Sequence, residues 1–205
     1  MSEKPCSCVI FDLGNVLVHF KEEILTAPYF PPEEREQAGR VIFARAMWDR
    51  LDAGTVENDE VHAFIRARLP ERMHSAAITC YANWFNNLPE IDGMRALLTD
   101  LRARGVPVFL LSNIGRDFAA HEDAVPILRL TDGHVYSSLC GMTKPDPAIF
   151  RYAARQFGFA PEECLFVDDL SRNTEGARSA GMRSYTFDGD AAALRNFLER
   201  EVKGK

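Results

Sequence analysis

The sequence predicts an α/β protein, built as a doubly wound parallel sheet with a helical cap domain inserted into it. Three observations carry this. Short, continuous apolar runs end on polar residues, amphipathic helical stretches separate them, and one long early segment shows helical periodicity without a strand pattern. Continuous apolar runs are the mark of strands buried on both faces, as in parallel sheets. Strands that alternate with helices build such a sheet through crossover connections.

The first run, Cys8-Val9-Ile10-Phe11, ends at Asp12. The second, Val106-Pro107-Val108-Phe109-Leu110-Leu111, ends at Ser112-Asn113, and the third, Cys164-Leu165-Phe166-Val167, at Asp168-Asp169. Residues 134–138 and 183–187 are weaker strand candidates. A helix is predicted over residues 90–104, where Ile91, Met94, Leu97, Leu98 and Leu101 share a face and Gly105 follows. Residues 147–157 and 171–180 read as further helices, closed by Gly158 and Gly181. In such sheets ligands bind beyond the carboxyl ends of the strands, where the polar residues just named converge.

Between about Phe20 and Leu88 the pattern changes. Residues 33–48, 58–69 and 73–87 are amphipathic, and Asn58 or Asp59 is placed to cap the middle helix. The expected organisation is therefore a core of residues 1–19 and 89–205 and a helical cap of residues 20–88.

The formal net charge is −6, and no stretch is basic enough to track a phosphate backbone, which argues against a nucleic-acid partner. No apolar run approaches the length of a membrane span. The N-terminal Met1-Ser2-Glu3-Lys4-Pro5 leads straight into the first strand and does not read as a signal peptide. Five scattered cysteines suit free thiols in a reducing cytoplasm. Cys6-Ser7-Cys8 has no second Cys/His pair at matching spacing, so it reads as the entry to a strand.

Four motifs carry chemistry. Phe11-Asp12-Leu13-Gly14-Asn15 puts a carboxylate at a strand end before a glycine-containing turn. Leu110-Leu111-Ser112-Asn113 offers a hydroxyl and backbone N–H groups suited to a phosphoryl oxygen. Gly141-Met142-Thr143-Lys144-Pro145-Asp146-Pro147 fixes a lysine in a stiff loop, where its ammonium can screen charge on a transferring phosphoryl group. Phe166-Val167-Asp168-Asp169 and the later Asn173 set two acids at a strand end, which calls for a cation; Mg2+ takes oxygen ligands of this kind.

In this order, across the whole chain, the four motifs resemble the haloacid dehalogenase superfamily, whose members combine a Rossmann-like core with a cap. The Asp-Leu-Gly-Asn-Val start and the Asp-Asp-x-x-x-Asn ending resemble the branch of glucose 1-phosphate phosphatases and the phosphatase domain of soluble epoxide hydrolases. The resemblance implies a magnesium-dependent phosphatase for a small phosphorylated metabolite of the sugar-phosphate kind. It implies that Asp12 attacks phosphorus to form an aspartyl-phosphate. Ser112 and Asn113 would hold a phosphoryl oxygen, and Lys144 would neutralise charge and orient Asp12. Asp169, Asp12 and the Gly14 carbonyl would ligate Mg2+, with Asp168 and Asn173 supporting those ligands from behind.

Phosphatases of the superfamily carry a second Asp two positions after the nucleophile, to protonate the leaving group. Here that position is Gly14. His19, shortly after, reads as an ordinary flap residue, with a proton carrier as the alternative reading. Trp48 and Trp84 read as core residues of the helical segment, with a place in a sugar pocket as the alternative for Trp48, near Arg45 and Asp49. Two other readings stay open: a 2-haloacid dehalogenase, in which Asp12 attacks carbon, and a weakly catalytic protein of this fold with a binding or regulatory task. The paired acids favour the metal-dependent phosphatase.

Overall fold

The computed structural model describes residues 5–203; Met1-Ser2-Glu3-Lys4 lies outside the described residues. The chain runs β1 (Cys8–Phe11), then five helices: α1 (Glu22–Thr26), α2 (Pro32–Ile42), α3 (Arg45–Asp52), α4 (Asn58–Arg66) and α5 (His74–Asn83). It continues through α6 (Met94–Ala103), β2 (Val108–Ser112), α7 (Arg116–Ala120), β3 (His134–Tyr136), α8 (Ser137–Cys140) and α9 (Pro147–Gln156). It closes with β4 (Cys164–Asp168), α10 (Ser171–Ser179), β5 (Arg183–Thr186) and α11 (Ala191–Glu201).

The five strands form one parallel sheet in the order β3-β2-β1-β4-β5. Every residue of β1, β2 and β4 is buried, as a sheet covered on both faces requires. The pleat sends Val9 and Phe11 to one face, which packs on Leu97, Leu98 and Leu101 of α6 and Leu194 and Leu198 of α11. Cys8 and Ile10 face the other side, against Ile149, Phe150 and Ala153 of α9 and Ala177 of α10. Phe11 lies opposite both Leu110 and Val167. This register brings Asp12, Ser112 and Asp168 to the same end of three adjacent strands.

Residues 22–87 hold α1–α5 and a closing 3-10 turn and contribute no strand, and their apolar side chains join the α6/α11 face of the core in one continuous cluster. Several local expectations are corrected. The helix expected over residues 33–48 is two helices, α2 and α3. The chain turns at Phe43-Ala44, and Phe43 packs on Phe20 and Trp48 with ring centroids 5.7 and 5.1 Å apart. Neither Asn58 nor Asp59 caps α4: Glu57 stands at that position without a side-chain bond, and the Asn58 amide is engaged by Asp117 and Tyr81. The helix expected from residue 90 begins at Met94. Ile91 N–H donates to the Leu17 carbonyl and Glu90 bridges to Val18, so these residues are tied to the chain leaving β1.

Candidate active site

Asp12 sits one residue past β1, its backbone N–H donating to the Val167 carbonyl, and is only 8% exposed. Its Oδ1 accepts from Ser112 Oγ at 2.9 Å and lies 2.8 Å from Lys144 Nζ. The same ammonium lies 2.7 Å from Asp168 Oδ2. Three of the four motifs thus meet on one carboxylate. Burial raises the Asp12 pKa above the ordinary carboxylate range by more than Lys144 lowers it, and Asp168 pushes the same way. Burial also disfavours the Lys144 charge, but the two carboxylates outweigh it and hold that pKa above its usual value.

Asp168 is fully buried and its lone pairs are taken up. Oδ1 accepts from Leu170 N–H and Asn173 Nδ2, each at 2.9 Å, while Oδ2 accepts from Lys144 and, at 3.0 Å, from Asn173. It is therefore a strut that aims Lys144 and shapes the turn into α10. Asn113 has a similar task. Its amide clamps the backbone of Lys144 from both sides, accepting from Lys144 N–H at 2.8 Å and donating to Lys144 O at 3.0 Å. The Asn113 side chain is thereby engaged within the protein. Gly176 completes the frame: a Cβ there would lie 2.2 Å from the Pro145 carbonyl oxygen, so only glycine lets α10 press this close to the lysine loop.

These groups lie in a cavity of about 680 Å3, within the size range of small-molecule sites. Asp12, Gly14, Ser112, Asn113, Lys144, Asp169 and Asn173 all line it. Its upper wall is aromatic. Phe20, Phe43, Trp48 and Trp84 pack edge-on or tilted, with Trp48 and Trp84 centroids 5.5 Å apart. Trp48 lines this cavity. His19 does not line it.

One lining residue escaped the sequence reading. Asp52, at the last position of α3, is 8% exposed, faces the cavity, and its Oδ1 has no hydrogen-bond partner. The available signal was its spacing: Asp52 follows Trp48 by four residues and so shares its helix face.

The donor set fits a hard cation. Carboxylate oxygens of Asp12, Asp168 and Asp169 lie within 4.8 Å of one another, and the buried Asn173 Oδ1 has no protein partner. Because Asp168 is saturated by Lys144, Asn173 and Leu170, Asp12 and Asp169 are the carboxylates left for an ion. Asp169 is half-buried, and burial together with Asp168 raises its pKa.

A family model described as haloacid dehalogenase-like hydrolase matches residues 6–181. Phosphatase MT3486 of Mycobacterium tuberculosis is 35% identical over 196 residues, covering 89% of this chain and 87% of that protein. The sesquiterpene phosphatase astK of Aspergillus oryzae is 27% identical over 174 residues, covering 84% and 85%. Among solved structures, a HAD family enzyme from Bacteroides thetaiotaomicron in complex with magnesium and inorganic phosphate superposes with a TM-score of 0.70, at 20% identity over 92% of this chain and 98% of that one. The chain therefore belongs to the haloacid dehalogenase-like hydrolases.

Proposed function

We propose that this protein is a magnesium-dependent phosphatase of small phosphorylated metabolites that works through an aspartyl-phosphate on Asp12. The observation that carries the reading is the convergence of Ser112 and Lys144 on Asp12 Oδ1, at the floor of a cavity beside a second open carboxylate, Asp169. The curated phosphatase relatives, and the magnesium and phosphate bound by the Bacteroides enzyme, support it.

Asp12 is the nucleophile, held in one rotamer by Ser112 and Lys144 so that its carboxylate approaches phosphorus along a single line. When substrate binds, the Ser112 hydroxyl turns from Asp12 to a phosphoryl oxygen and is joined there by the Asn113 backbone N–H, while the buried Lys144 ammonium offsets charge on the transferring group. Asp12, Asp169 and the Gly14 carbonyl would hold Mg2+, which would supply positive charge to offset that of the phosphoryl oxygens. Asn173 and Asp168 keep this arrangement in register.

Residues 20–88 act as the cap over a core of residues 1–19 and 89–205, and the aromatic wall with Trp48 sets which substrates fit. A sugar phosphate suits such a wall, since apolar sugar faces stack on indole. Four of the five cysteines are fully buried free thiols, a state that suits the cytoplasm. Among the described residues no helix is long and apolar enough to cross a membrane.

The test is phosphate release from a panel of sugar phosphates and 4-nitrophenyl phosphate, with and without Mg2+, for wild type and Asp12→Asn. The wild type is expected to turn over with Mg2+ and the variant to lose all activity while keeping its circular dichroism. Substantial turnover by a folded Asp12→Asn protein, with deamidation excluded, sinks the assignment.

A further inference from the structure

Gly14 leaves the site short of a proton carrier, and its backbone does not explain the glycine. It has no left-handed φ, and a Cβ placed there would meet Phe20 Cβ at 3.4 Å, an ordinary contact. The position could carry a side chain, so the proton must be handled from elsewhere. Among the described residues the cavity offers four further carboxyls besides Asp12. Glu22 and Asp49 are exposed, and Asp169 belongs with the cation. The fourth is Asp52, nine-tenths buried, with an oxygen that no protein group satisfies.

We propose that Asp52, carried on α3 of the helical segment, protonates the leaving oxygen and then activates water, the work for which Gly14 has no side chain. The inference rests on the phosphatase reading above. Its geometric basis is that the end of α3 is latched to the core rather than hung over it. The Asp52 carbonyl accepts from Ser137 Oγ at 2.6 Å, and that same Oγ accepts from Ile114 N–H at 2.9 Å. Ile114 lies in the loop that leaves β2 directly after Ser112 and Asn113, so one hydroxyl ties the backbone of Asp52 to the phosphate-holding turn. Two residues on, Gly54 has φ +68°, and a Cβ there would come within 2.7 Å of the Ser138 carbonyl oxygen; the chain passes too close to α8 for any side chain. The latch thus fixes the backbone beneath a carboxyl that lines the same cavity as Asp12.

Its electrostatic setting agrees. Burial, with Asp49 and Asp12 adding to it, pushes the Asp52 carboxyl up to about 7, while Lys144 and Arg45 oppose the shift. Asp49 and Arg45 belong to its own helix, and Lys144 and Asp12 face it from the core. A carboxyl so placed holds its proton into the neutral range, where an ordinary one has lost it.

The steps balance as follows. An Asp12 carboxylate oxygen forms a bond to phosphorus while the bond from phosphorus to the leaving oxygen breaks. That oxygen keeps the bonding pair, takes the Asp52 proton, and departs as an alcohol. Asp52, now a carboxylate, removes a proton from a water whose oxygen attacks phosphorus. The bond from phosphorus to Asp12 breaks, releasing inorganic phosphate and restoring both side chains.

The experiment compares kcat/KM of wild type and Asp52→Asn on two esters: 4-nitrophenyl phosphate, whose leaving group needs little protonation, and ethyl phosphate, whose leaving group needs much and which has no hydroxyl for Asp52 to bind. Because kcat/KM covers steps up to alcohol release, it isolates proton donation. Asp52→Asn is expected to lower the ethyl phosphate value by about 10²–10⁴-fold, and the 4-nitrophenyl value by less than about tenfold. Similar losses on both esters, or none on either, overturn the assignment of Asp52 while leaving the phosphatase reading intact. Wild type inert towards both esters and the sugar-phosphate panel overturns the phosphatase reading, and the role of Asp52 with it.

Discussion

A carboxyl in the position of Asp52 costs stability, and the cost depends on pH. In the unfolded chain its pKa is about 3.9; folded, burial pushes it up to about 7. Between those values the folded chain holds a proton that the unfolded chain has released, so folding stability falls as pH rises through that window. Below pH 4 both states are protonated and the penalty is absent. Asp52→Asn, which cannot ionise, should therefore melt near the wild-type temperature at pH 4 and above it at pH 8. The ceiling on the gain is about 4 kcal/mol, the equivalent of the whole shift, and it shrinks where cavity water reaches the carboxyl. Melting curves from pH 4 to pH 8 check this. A difference between the two proteins that does not change with pH would show that burial does not hold the proton on Asp52.

At the scale of elements, the turn from β4 into α10 divides labour between adjacent acids. Asp168 accepts from Lys144, Asn173 and Leu170, while Asp169 faces the cavity. Asp168→Ala should therefore cost more stability, because it leaves a buried ammonium with one carboxylate partner and frees two further donors; removing one member of a buried pair typically costs about 3–5 kcal/mol. Asp169→Ala should cost little stability and more magnesium affinity. Denaturant titration and calorimetric Mg2+ titration of both variants check the two halves, and equal metal losses would mean that the acids share the ion. The α10 contact gives a second expectation. Gly176→Ala puts a Cβ where only 2.2 Å separates it from the Pro145 carbonyl, so the lysine loop must shift. Activity should fall by at least about 10²-fold, the scale of a catalytic group displaced by about 1 Å, although residue 176 touches no substrate. Near-normal kcat/KM would show that the loop has slack.

Much of this element-scale frame was legible beforehand, because buried parallel strands need continuous apolar runs and the polar residues that end them must converge. Cys8–Phe11 and Cys164–Val167 announced both their strands and the acids beyond them. What stayed hidden was set by tertiary contact. Periodicity alone ran through Phe43-Ala44, where aromatic packing breaks the helix. Local spacing puts Asp52 on the Trp48 face of α3 without marking it as buried, and nothing local marks Asn113 as a clamp on a loop 31 residues away, since both depend on groups distant in sequence.

For the whole molecule, the question is whether the helical segment is a separate folding unit. Its apolar residues, among them Leu25, Ile65, Met73 and Ala77, belong to the same buried cluster as Val9 and Phe11 of the sheet. Trp84 stacks on Phe118 of α7 at 5.5 Å, and Ser137 joins the end of α3 to the core. A segment that shares its core with the sheet cannot unfold without exposing the face of β1 and α6 that it helps to bury. Its loss should therefore carry the rest of the chain with it, as small single domains behave. The sequence supplies a clean probe, because both tryptophans, Trp48 and Trp84, lie in the helical segment. Their fluorescence reports that segment and its seam with α7, whereas far-ultraviolet circular dichroism reports the whole chain. The two signals should trace one coincident transition in urea, with a single midpoint and slope. The fluorescence of Ser137→Ala should move with its dichroism to a lower midpoint, because a buried hydroxyl that both accepts and donates is lost together. A tryptophan transition that precedes the dichroism change in wild type would show that the segment opens as an independent unit. The latch through Ser137 would then be too weak to hold Asp52 in place over the site.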